Sequence, residues 1–155
     1  MSTSAKSRKA REQALAIRFE EMPGALFRRL HQLAVGRFTS EMGDIGLTPI
    51  QWSALLTTTK RPGIDQITLS REIFIDPSTI AGVLERLETR RLLRREVSPQ
   101  DRRVRLLYAT AEGEALLDAA NKVVLDTQEW LMDPLTTEER ASLMELMLRV
   151  LHRPE

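Results

Sequence analysis

"DPSTIAGVLERLETRRLLRREVSPQDRRVRLLYAT", Asp76 to Thr110, carries two different periods in one unbroken run. Its first half opens on a helix start signal, Asp76 as N-cap and Pro77 at the first helical position. Ile80, Val83, Leu84 and Leu87 follow at the three- and four-residue spacing of a helix's inner face. In the second half, "LLRREV" and "RVRLLYA" are short β-tolerant runs around the polar turn "SPQDR", the pattern of a two-stranded hairpin. Thr110 ends the stretch as the cap of another helix.

Upstream, "LTPIQWSALLTTTKRPG" repeats the start signal with Thr48 as cap, Pro49 at the first helical position and Gln51 completing a capping box; Pro62 and Gly63 stop the helix after about three turns. "ITLSREIFI" predicts a short helix from Thr68 or Leu69. From Gly24 to about Met42, Leu26, Leu30, Leu33 and Phe27, Ala34, Phe38 form a wide apolar face, broken by "GDIG". Downstream, a long helix runs from Thr110 to about Met132 with Leu116, Leu117, Ala120, Val123, Val124 and Leu131 inward, and a last one starts at Thr136 or Thr137 near Glu139.

The predicted fold class is mainly α with a small β-hairpin wing: a winged helix-turn-helix plus a helical dimerisation region. The expected boundaries are a basic arm over 1–23, bearing Lys6, Arg8, Lys9 and Arg11, and one domain over 24–155. Within it the winged helix covers about 48–109 and the dimerisation helices about 24–43 and 110–152. Dimerisation follows from apolar width. Leu143, Met144, Leu146, Met147, Val150 and Leu151 give the last helix more apolar surface than one small domain covers, so a homodimer is expected.

Composition narrows the function. The chain of 155 residues has no cysteine, which excludes disulfides and thiolate metal sites; a metal site would rest on His31, His152 and carboxylates, a poor set, and none is expected. No nucleophile–base set and no phosphate-binding glycine loop is present, so no catalytic residue and no cofactor is assigned and an enzyme is not expected. No apolar run approaches the roughly 20 residues of a membrane span and the start is polar, so the expected location is cytoplasmic, without membrane contact.

Net charge is only +1, but its signs are segregated. Arg86 to Arg105 holds eight arginines against three acids, whereas Ala111 to Met147 holds nine acids against two bases. The first region suits a polyanion and the second repels one. In a winged helix-turn-helix the later helix enters the major groove, and here its outward residues are Ser78, Thr79, Gly82 and Arg86. Small hydroxyls at a helix start can contact bases or phosphates, and Gly82 allows close approach. The competing reading makes Ser78 and Thr79 part of the cap and Gly82 a packing relief. A winged-helix module that binds protein and no specific DNA is the alternative function.

"LTPIQWSALL", "DPSTIAGVLERLETRRLLRR", "SPQDRRVRLLYATAEGEALL" and the flanking helices resemble the MarR family of transcription regulators over roughly Gly24 to Leu151. That resemblance implies a homodimer with interlocked first and last helices. It also implies a palindromic double-stranded DNA operator and a small aromatic effector that releases it. In the family's wing pattern Asp-x-Arg, the aspartate orients an arginine that enters the minor groove; the matching residues are Asp101 and Arg103, with Arg102 nearer phosphate. "PGIDQITLSREIFIDPSTIAGVLERLE" resembles the branch controlling catabolism of aromatic acids or their coenzyme A thioesters. Where the family often has glycine before the first wing strand, this chain has Arg90-Arg91.

The implied function is a ligand-responsive repressor released by an aromatic or phenolic acid, aldehyde or thioester. Candidate effector residues are Arg28, His31, Phe38 and Trp52: Arg28 offers a carboxylate its fork and His31 a phenol its partner, the two being three residues apart on a helix. Equally, Arg28 and His31 read as surface or interface residues and Phe38 and Trp52 as core.

Overall fold

The computed structural model describes residues 18–152, so the basic residues of the expected N-terminal arm lie outside the described residues. Two compact units meet between Leu33 and Ala34. The first contains a short 3₁₀ turn, Phe19–Glu21, and the opening turns of helix α1, Pro23–Met42. Its apolar side chains Phe19, Met22, Leu26, Phe27, Leu30 and Leu33 are all exposed. The wide apolar face expected there is present, and this single chain does not bury it.

In the second unit, α1 ends with Phe38 and Met42 buried. Helix α2, Pro49–Lys60, starts as expected: Thr48 Oγ1 accepts from the Gln51 amide at 3.3 Å, and Gln51 Oε1 accepts from the Thr48 amide at 3.0 Å. Both bonds satisfy amides that a helix start leaves without partners. Strand β1, Ile64–Asp65, then leads directly into helix α3, Gln66–Glu72. The expected start at Thr68 or Leu69 is too late. Asp65 is the cap, its carboxylate accepting from the amides of Ile67 and Thr68 and from the Thr68 hydroxyl at 2.6 Å.

Helix α4, Pro77–Thr89, is capped by Asp76 and buries Ile80, Val83, Leu84 and Leu87, the expected inner face. Strands β2, Leu93–Val97, and β3, Arg105–Ala109, form the predicted hairpin with Arg95 opposite Leu107. β1 adds a strand that the sequence reading did not contain, pairing Ile64 with Leu107 to give the order β1-β3-β2. Helix α5, Ala111–Met132, starts on Thr110 and buries Leu117, Ala120 and Val124, while Leu116, Val123 and Leu131 are half-buried. Helix α6, Thr137–Leu151, has a capping box between Thr136 and Glu139 and no buried residue; Met144, Leu146, Leu148, Val150 and Leu151 are exposed.

The core of this unit joins Leu55 of α2, Leu69 of α3, Ile80, Leu84 and Leu87 of α4, and Leu93 and Leu107 of the sheet, all fully buried. Burying each such side chain contributes about 1.5–3 kcal/mol. The helix-turn-helix and the wing therefore share one apolar centre, which fixes α4 and the hairpin as a rigid pair.

Candidate nucleic-acid interface

Burial of one face of α4 leaves Ser78, Thr79 and Arg86 exposed and Gly82 half-buried on the other. The structure sharpens the two readings of the first three turns. Ser78 Oγ donates to Asp76 Oδ1 at 2.5 Å and Thr79 Oγ1 donates to Asp76 Oδ2 at 2.6 Å, so both hydroxyls serve the cap and present their lone pairs outward. With the Thr79 and Ser78 amides, these hydroxyls hold the Asp76 carboxyl well below the usual carboxylate range, the Ser78 hydroxyl contributing most. Gly82 is not a packing relief: a methyl group there would meet no atom within 4 Å.

The wing tip is ordered by its own side chains. Ser98, buried, accepts from the amides of Gln100 and Asp101 and donates to Gln100 Oε1 at 2.9 Å. Val104 N–H donates to the Asp101 carbonyl at 2.9 Å, closing the turn. Asp101 then holds Arg103 at three points: Oδ1 accepts from the Arg103 amide at 2.9 Å and from Nε at 3.1 Å, and Oδ2 accepts from Nη2 at 3.1 Å. This is a bidentate fork on a pre-formed turn, and the side chain is still 92% exposed. The Arg103 side chain, then its amide, keep the Asp101 carboxyl below its ordinary value.

Several cations of the basic segment are committed elsewhere. Arg90 donates from Nη1 to the Gly46 carbonyl at 2.6 Å and from Nη2 to the Ile45 carbonyl at 3.2 Å, tying the end of α4 to the turn before α2. Arg94 pairs with Glu96 and lies over the Tyr108 ring, and Arg95 pairs with Glu88 at 3.2 Å. Arg105 donates to the Arg102 carbonyl at 2.8 Å. Arg86 and Arg102 make no ion pair among the described residues.

Arg91 answers the question raised by its place before the first wing strand. It adopts the left-handed conformation itself, φ 58°, and closes α4 with Arg91 N–H to Glu88 O at 2.8 Å and Leu92 N–H to Leu87 O at 2.9 Å. The termination that glycine favours is made without glycine.

A junction beyond α4 was missed in the sequence. Thr110 Oγ1 donates to the Arg91 carbonyl at 2.7 Å and accepts from the Gly113 amide at 3.0 Å, while Thr110 N–H donates to the Leu92 carbonyl. The cap of α5 is therefore bonded to the two residues that close α4 and lead into β2. The only local signal was a glycine in the first turn of an otherwise good helix.

The effector candidates separate. Arg28 and His31 lie on exposed positions of the first unit, and the Arg28 guanidinium sits 5.6 Å from the Phe19 ring centroid. Phe38 is buried core in the second unit. Trp52 is half-buried and donates from Nε1 to Asn121 Oδ1 at 3.1 Å. Between α2 and α5 lies a groove of about 680 Å³ lined by Trp52, Leu56, Lys60, Asn121, Val124 and Leu125, with Gln128 at its edge. Asn121, a poor helix former in mid-helix, was the overlooked signal.

Helix-turn-helix, three-stranded wing and long flanking helices define a winged-helix protein. Among solved structures, the PcaV transcriptional regulator of Streptomyces coelicolor in complex with its natural ligand superposes with a TM-score of 0.84, at 31% identity over 90% of this chain and 99% of that one. Bordetella bronchiseptica BpsR, whose structure concerns regulation of DNA binding by 6-hydroxynicotinic acid, gives 0.84 at 28% identity over 89% of this chain and 99% of BpsR. The MarR family model matches residues 45–104, and the transcriptional regulator HosA of Escherichia coli is 34% identical over 125 residues, 81% of this chain and 91% of HosA. The chain belongs to the MarR family. It is a transcriptional regulator and not an enzyme.

Proposed function

We propose that this regulator is a homodimer that binds a palindromic operator as a repressor and is released by an aromatic acid or its thioester. The observation that carries the DNA reading is the Asp101–Arg103 fork: a guanidinium aimed by two hydrogen bonds, with a third from the Arg103 amide, on a side chain 92% exposed at the tip of a rigid turn. An arginine held in this way enters a narrow, electronegative minor groove with less ordering left to do. Ser78, Thr79, Gly82 and Arg86 belong to the helix that reads the major groove, and Arg102 meets phosphate. Winged helix 48–109 reads DNA, and helices 24–43 and 110–152 supply the dimer through the exposed apolar residues of α1 and α6.

For the effector, the groove between α2 and α5 has the size and mixed lining of a small-molecule site. Trp52 offers a ring to stack on, Lys60 a cation for a carboxylate, and Asn121 a hydrogen-bond partner. The regulation of DNA binding by BpsR through 6-hydroxynicotinic acid, an aromatic acid, supports this class. A molecule wedged there acts on α5, whose cap Thr110 is bonded to the residues that close α4, so it biases the placement of the reading helix. Arg28 and His31 are a separate candidate, on the first unit, for the acid and phenol groups. No helix among the described residues is long and apolar enough to cross a membrane.

The test is selection of duplexes from a random pool by the intact protein, repeated with phenolic acids, hydroxynicotinic acids and aryl thioesters. Enrichment of a palindrome with half-sites about 10 base pairs apart, binding that falls steeply with salt, and release by one of these compounds are expected. No enriched sequence would leave a protein-interaction module, and enrichment without any release would leave a constitutive regulator.

A further inference from the structure

Phe74 is 93% exposed and has a left-handed backbone, φ 57°, in the turn between α3 and α4. The backbone explains the angle. Helix α3 closes with Phe74 N–H to Arg71 O at 3.3 Å and Ile75 N–H to Ser70 O at 2.9 Å, a pair of bonds that requires the residue after the cap to be left-handed. Glycine serves there without cost, whereas a bulky side chain is disfavoured by the crowding of its Cβ. Nothing among the described residues covers the ring. Ile73 and Ile75 pack against the core and anchor the turn, which directs the ring between them to solvent.

Arg91 shows that this fold tolerates a side chain at such a position, since it closes α4 in the same way. The chemistry differs, however. A guanidinium is at home in water, and an exposed phenyl ring is not. Phe74 therefore carries a backbone cost and a solvation cost together, two residues before the Asp76 cap and four before Ser78. An outlier of this kind, uncompensated among the described residues, points to a contact outside them.

We infer that Phe74 is a DNA-contacting residue, its ring lying against apolar surface of the operator at the edge of the major groove where α4 enters. The inference rests on the DNA-binding reading above. Two apolar surfaces are presented there, the thymine C5-methyl and the face of a deoxyribose. The contact needs no charge, which suits its place beside the Asp76 carboxylate.

The experiment compares the full chain with Phe74→Gly and Arg103→Ala on the selected duplex, on the same duplex with single dT positions replaced by deoxyuridine, in thermal unfolding, and in sedimentation. Phe74→Gly should melt about 3 °C higher, because the strain is relieved, yet bind the duplex about tenfold more weakly, with its oligomeric state unchanged. A deoxyuridine that weakens the unsubstituted protein but not Phe74→Gly assigns the contact to a thymine methyl. Indifference to every such replacement, with the Phe74→Gly loss intact, assigns it to deoxyribose. Wild-type affinity in Phe74→Gly, beside a clear loss in Arg103→Ala, overturns this inference alone. A binding defect that vanishes once Phe74→Gly is concentrated enough to self-associate overturns it in favour of a contact between copies. Failure of the unsubstituted protein to bind any duplex overturns the underlying reading as well.

Discussion

Replacing Gly113 with alanine should destabilise the protein by about 3 kcal/mol, although alanine is ordinarily the better helix residue. In the first turn of α5, a Cβ at this position would lie 2.1 Å from the Leu92 carbonyl oxygen and 3.0 Å from its carbon. Unbonded carbon and oxygen need about 3.3 Å, so backbone must move by roughly 1.2 Å. Overpacking of this kind costs about 2 kcal/mol. The same movement distorts the Thr110 bonds to Arg91 and Leu92 and the Gly113 bond to Thr110, worth about 1 kcal/mol each when lost, of which two are sacrificed. Alanine's propensity returns about 1 kcal/mol. Urea unfolding at fixed protein concentration measures the difference, because self-association makes apparent stability depend on concentration. A loss below 0.5 kcal/mol, or a gain, on this order-of-magnitude scale would refute the claim that α5 is seated against Leu92 and with it the proposed link from α5 to α4.

Gly82→Ala should have the opposite effect on the fold, stabilising it by about 0.5–1 kcal/mol because a Cβ there meets nothing, while weakening DNA binding where backbone must come close; an unchanged gel-shift affinity would remove Gly82 from the interface. Arg103→Ala should weaken operator binding by about tenfold or more, and Asp101→Ala by a smaller factor; in the Arg103→Ala background, Asp101→Ala should cause no further loss, since only a carboxylate facing phosphate is then removed. Equal losses in both backgrounds would show that Asp101 does not act through Arg103. Asp76 titrates lower folded than unfolded, so its contribution to stability is complete above pH of about 4 and fades as pH falls further. Asp76→Asn should lack that part of the acid slope in melting temperature, and parallel profiles for the two proteins would contradict it.

Helix starts were legible because they are local chemistry. A cap acts within three residues, as Thr48 on Gln51 and Asp76 on Ser78 and Thr79 do, and the inner face of α4 follows from a period that needs no partner to be counted. Asp65 escaped notice for a related reason: it ends a strand that exists only because Ile64 pairs with Leu107, and the sequence around it has no strand pattern of its own. Charge segregation showed where a polyanion is welcome but could not rank the eight arginines; only the resemblance of the Asp-x-Arg wing pattern singled out Arg103.

Sequence by itself determined the order of the helices, the capped starts of α2 and α4, the hairpin after them and the excess of apolar surface on the flanking helices, since each follows from neighbours along the chain. Tertiary structure decided which arginines are consumed by carbonyls, acids and an aromatic ring. It also decided that the packing of the fold requires Gly113 but not Gly82, and that Phe74 and Arg91 take left-handed turns usually left to glycine. Those outcomes depend on atoms brought close by folding, such as the Leu92 carbonyl under Gly113 and the Gly46 carbonyl before Arg90. Their distances are set by the shared core and have no signature in local spacing.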